Sequence, residues 1–140
     1  MKSRNEPSRP ATRREAGTAT VEFAIAALVF FIIVLGTMAF GVAVWEYNIV
    51  ASAAKDGARW AAVRGATSST PATSTTVESY VNARVYGRTV TVTTTWPDGG
   101  SPSNGKGKRV RVVVSTTFIP TVRFLSSMTL RSTAEMIIMR

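Results

Sequence analysis

Gly17-Thr18-Ala19-Thr20-Val21-Glu22-Phe23 is the junction at which a basic leader meets a long apolar run carrying one acidic residue near its start. From Phe23 to Val44 no residue is charged, a stretch of 22 residues. As helix it spans about 33 Å, enough to cross the hydrocarbon core of a bilayer. A plain anchor has no use for a carboxylate at position 22, so the junction carries more than an anchoring role.

Working outward, residues 1–17 hold Lys2, Arg4, Arg9, Arg13 and Arg14 against Glu6 and Glu15. Cationic residues next to a membrane span stay on the cytoplasmic side, and this accounts for the leader better than a nucleic-acid-binding arm does. The apolar run is too long for the core of a secretory signal peptide. Arg13-Arg14 is followed by Glu15-Ala16-Gly17, whose polar start does not fit a twin-arginine signal. The leader, with Pro7 and Pro10, is expected to lack order. The helix is expected to begin near Thr18, with Trp45 and Tyr47 closing the span as anchors at the outer interface.

Beyond the anchors the helix is expected to continue over Glu46–Arg64 and to end at Gly65. Ala51, Ala54, Ala58 and Ala61 recur on one face, and Gly57 adjoins them, so another backbone can approach closely. Two readings stay open: this surface packs on the chain's own sheet, or on the helices of other subunits. Residues 65–76, with the tract Thr67–Thr76, read as a Ser/Thr/Pro-rich flexible linker. Val77, Tyr80, Val81 and Val85 give a short helix one apolar face, and Gly87 stops it.

Three segments then alternate with period two: Arg88–Trp96, Arg109–Phe118 and Met128–Met139, the first two joined by the polar loop Pro97–Lys108. The expected fold is α+β. A transmembrane helix (18–45) follows the leader (1–17) and extends outside the membrane (46–64). After the linker, a small domain (77–140) packs a short helix on a three-stranded antiparallel sheet.

The chain has no cysteine and no histidine, so it lacks disulfide staples, thiolate chemistry and the usual general base. Gly100 to Lys106 matches the start of a phosphate-binding loop, but Gly107 follows where Ser or Thr would hold magnesium, and the loop leads into a strand. A hairpin tip without a ligand is the better reading. Glu78, Asp98 and Glu135 are far apart and have ordinary roles, Glu78 in the first turn of its helix and Asp98 before a turn glycine. No catalytic residue, metal site, cofactor or small-molecule substrate is expected. The net charge is +9, and the basic outer domain would meet lipid head groups, wall polymer or an acidic partner.

Gly17-x-x-x-x-Glu22-Phe23 resembles the cleavage motif of type IV prepilins, with Phe23 where the tight-adherence (Tad) branch has tyrosine. Ala16-Gly-Thr-Ala-Thr-Val-Glu-Phe-Ala24, the apolar helix and Ala51-Ser-Ala-Ala-Lys-Asp-Gly-Ala-Arg59 are similar to TadE-like pseudopilins. The resemblance is strongest over residues 16–64.

It implies a minor pilin or pseudopilin in the bacterial inner membrane, with its N-terminus cytoplasmic and its C-terminal domain outside. A prepilin peptidase would cut after Gly17, leaving Thr18 as the new N-terminus. Glu22 would then set registry with a neighbour's amine, with Phe23 beside it. The implied partners are that peptidase, other pilins and the Tad machinery, and the implied setting is pilus-based cell adhesion. A rival reading is an uncut single-pass binding module whose basic outer domain contacts wall polymer or nucleic acid.

Overall fold

The computed structural model describes residues 12–85, 87–120 and 126–139. The element order is α1 (Thr12–Ala62), α2 (Ser74–Asn82), β1 (Thr91–Thr95), β2 (Arg109–Phe118) and β3 (Met128–Ile137). The chain divides into two compact units, Met1–Met38 and Ala39–Arg140.

In the first unit α1 begins at Thr12, ahead of the expected start near Thr18. Arg and Glu are strong helix formers and Ala the strongest, so residues 13–16 extend the helix backward from the apolar run. Residues 1–11 of the leader lie outside the described residues. No residue from Gly17 to Met38 is buried. The most apolar 18-residue window of α1 has mean hydropathy 2.7, and none of its residues is buried. Thr37 returns its hydroxyl to the Ile33 carbonyl at 2.8 Å, which satisfies a polar group inside an apolar stretch.

In the second unit the sheet order is β1-β2-β3, antiparallel throughout. The bounds of β2 are those the alternation predicts. Val92 faces Val114, and Val112 lies between Thr94 and Ala134. Val110, Val112, Val114 and Phe118 are buried along β2, and the three valines share one core with Val77 and Val81 of α2 and Val50, Ala53, Ala54, Ala58, Ala61 and Ala62 of α1. Both helices therefore cover one face of the sheet.

The tract read as a flexible linker is instead built into this unit. Ser74 to Thr76 are the first residues of α2. Thr73 caps the helix: its hydroxyl accepts from the Thr76 N–H at 3.2 Å, and its own N–H donates to the Thr76 hydroxyl at 2.9 Å. Ala66 N–H donates to the Asn104 carbonyl, Ala72 N–H to the Arg64 carbonyl, and Asn104 Nδ2 to the Ala72 carbonyl. The composition of a linker here serves as capping chemistry. It also places Glu78 beyond the first turn of α2, so the expected dipole role does not apply.

The Pro97–Lys108 loop holds itself by polar contacts. Lys108 Nζ donates to the Gly99 and Pro102 carbonyls at 2.6 and 2.7 Å. The Asp98 carboxylate accepts from the Arg109 N–H and guanidinium, both at 2.6 Å, and that guanidinium holds the carboxyl below its ordinary range. Glu135 on β3 pairs with Arg111 and lies 3.8 Å from Arg109.

Candidate functional site: the N-terminal helix and its outer continuation

At the junction, α1 runs without interruption through Gly17 and Thr18. A Cβ on Gly17 would meet no neighbouring atom, so the backbone there is open on the helix surface. Glycine is also the weakest helix former after proline, by about 1 kcal/mol against alanine. Glu22 is exposed four residues after Thr18, and residues i and i+4 share a helix face. Among the described residues Glu22 has no ion-pair partner. Phe23, next to it, is 74 % exposed.

Further along, the small-residue surface has a partner within the chain. Ala54, Ala58 and Ala61 are buried in the core, Ala51 is half-buried, and Gly57 is the closest approach. A Cβ there would lie 2.8 Å from Val81 Cγ2 and 3.3 Å from Val112 Cγ1. This face is thus covered by the chain's own α2 and sheet, which leaves no room for a second helix. Outside it Arg64, Trp60, Tyr80 and Arg84 form a ladder. Trp60 and Tyr80 stack at 5.0 Å, Arg64 lies 4.3 Å over the Trp60 ring, and Arg84 4.5 Å over Tyr80.

Trp45 and Tyr47 remain about half exposed, and between them stands a buried carboxylate that sequence reasoning did not single out. Glu46 is 8 % exposed and pairs with Arg88, which follows α2 in the chain. The Arg88 guanidinium also lies 5.1 Å from the Trp45 ring. A small cavity beside the pair is lined by Glu46, Ile49, Val50, Val85, Arg88, Val90 and Thr116. The only sequence signal was an acidic residue wedged between two aromatic anchors, and nothing in the local pattern pointed to a partner 42 positions away. Among the described residues no group of three or more carboxylates could hold a metal ion.

A family model, TadE, described as TadE-like protein, matches residues 17–59. The match begins at Gly17, takes in Glu22 and Phe23, and ends at Arg59 on the part of α1 that packs on the sheet. No curated protein and no solved structure matches the chain. Residues 17–59 are TadE-like, which relates the chain to the pilin-like proteins of the Tad pilus. Among the described residues one helix, α1, is long and apolar enough to cross a membrane, which fits a single-pass anchor.

Proposed function

We propose that the chain is a minor pilin or pseudopilin that helps build or prime a Tad-type pilus as a structural, non-enzymatic subunit. The observation that carries this reading is that the TadE-like match over residues 17–59 lies wholly within α1 and takes in its long apolar stretch. The chain inserts once in the inner membrane, with the leader cytoplasmic and the α/β unit outside. A prepilin peptidase cuts between Gly17 and Thr18, where glycine makes the helix easiest to open.

The cut removes five basic side chains from the cytoplasmic face and creates an α-amino group on Thr18. Glu22 then lies one turn in from the new α-amino group, on the same face of the mature helix. In the bilayer that carboxylate needs a cation, and the free amine of an adjacent pilin supplies one when the two helices stack in register. The outer unit keeps its alanine face for itself, so subunit contacts through α1 fall on the apolar segment ahead of Trp45.

The test is Glu22→Ala against Glu22→Asp in the host. Alanine leaves membrane insertion intact and sharply reduces co-purification with partner pilins and pilus number, and aspartate restores part of both. Parent-level assembly by the alanine variant would remove the registry role.

A further inference from the structure

Three contacts set how the sheet lies along the outer part of α1. At the far end Met139 N–H donates to the Ala62 carbonyl at 2.9 Å. Midway, Gly57 sits against Val112. Toward the other end, Glu46, Arg88 and Thr116 line one cavity. From Gly57 back to Glu46 is about 16 Å of helix, and from Val112 to Thr116 about 13 Å of strand. The two lengths agree, so β2 runs alongside α1 in the opposite direction.

Past Thr116 the chain continues through Phe118 to Ile119, about 10 Å further at strand spacing. On the helix that distance is roughly six to seven residues, which brings Ile119 from the level of Glu46 to about the level of Phe40. This end of the sheet therefore reaches beyond Trp45 and Tyr47, alongside apolar helix surface. The side chains there are apolar and exposed: Ile119 at 77 % and Met128, which pairs with Phe118 across the ladder, at 46 %, with Phe40 on the helix at 71 %. Contiguous exposed apolar side chains are a mark of a membrane or protein contact.

We propose that this end of the outer unit is a second membrane contact, in which Ile119 and Met128 enter the outer leaflet beside α1. The partner is lipid, because the level of these residues coincides with apolar helix surface that the rest of the protein leaves uncovered. Arg88, on the ring of Trp45 and next to that level, meets lipid phosphate with its solvent-facing side. The outer unit is thus held against the membrane at two points and has to be lifted from it when the subunit leaves the bilayer. This inference rests on the single-pass insertion proposed above.

The chain has no native cysteine, so the test uses single-cysteine variants of the full chain in phosphatidylethanolamine–phosphatidylglycerol nanodiscs. Ile119→Cys and Met128→Cys carry an environment-sensitive fluorophore, with Phe40→Cys as the lipid reference and Thr133→Cys as the aqueous one. Labels at 119 and 128 are expected to be quenched by a shallow lipid nitroxide as Phe40 is, and to resist iodide several-fold better than Thr133. Iodide access equal to that at Thr133, with Phe40 still in lipid, overturns the proposal and leaves the insertion intact. Shielding from both quenchers also overturns it, and shows a protein surface there instead. If iodide reaches Phe40 too, the insertion reading falls and takes the proposal with it.

Discussion

One helix, α1, is written in two vocabularies. From Gly17 to Met38 it carries large apolar side chains on every side and buries none of them. From Val50 onward one face is buried and made mostly of alanine and glycine, and Ala54 and Ala58 are fully buried. The difference teaches what each segment takes as its solvent. Large residues all round suit an apolar medium that has no fixed shape. Small residues on one face suit a backbone or sheet at a fixed, close distance.

The widest separation between the two segments comes from a charge. Ile33→Arg places a cation near the middle of the apolar segment and should cost about 3 kcal/mol of insertion. The carbonate-resistant membrane fraction should fall sharply, while the same introduced charge in Val63→Arg, at an exposed position of the second segment, leaves it untouched. Size is the lever in the second segment. Gly57→Leu forces a side chain into Val81 and Val112 and should destabilise the outer unit by about 2 kcal/mol, read as a lower melting temperature of the whole chain in detergent. Gly36→Leu, where a Cβ meets nothing, should leave that melt unchanged. If both glycines tolerate leucine equally, the contrast between the segments is lost.

A smaller effect is expected at Glu46, within the second segment. Glu46→Ala leaves Arg88 without its partner. Arg88 keeps more than a third of its side chain in solvent, so the cost should be about 1–2 kcal/mol, between the values for surface and fully buried pairs. Restoring the melt with Glu46→Ala plus Arg88→Leu would show that the penalty is the stranded charge. The smallest effect belongs to Asp98. Its folded pKa is depressed by Arg109, so its contribution is present above the unfolded value near pH 4 and is lost as pH falls below it. Amide exchange at Arg109, whose N–H the carboxylate accepts, should quicken only in that acid range. Asp98→Asn should remove the pH dependence.

Much of this molecule was legible from local pattern. Alternation of Val110, Val112 and Val114 set the bounds of β2, because period two is a local property of a half-buried strand. The uncharged run from Phe23 and the carboxylate at Glu22 marked the junction for the same reason. What stayed hidden depends on partners distant in sequence. Thr73 looks like linker until Thr76 is seen closing a capping box on it, and the Ala66–Ala72 segment gains its order from Asn104. The alanine face of α1 allowed two partners on composition alone, and only the positions of Val81 and Val112 show that it is occupied. Glu46 and Arg88 gave no joint signal, since nothing in helix or strand periodicity links residues so far apart.

Cleavage between Gly17 and Thr18 is the step on which a pilin-like role most directly depends. The decisive measurement is the intact mass of the protein extracted from membranes of its host, with and without the prepilin peptidase. Loss of residues 1–17 only when the peptidase is present, leaving Thr18 at the N-terminus, is the predicted result. A full-length mass in both strains would contradict it and favour an uncut, membrane-anchored binding module.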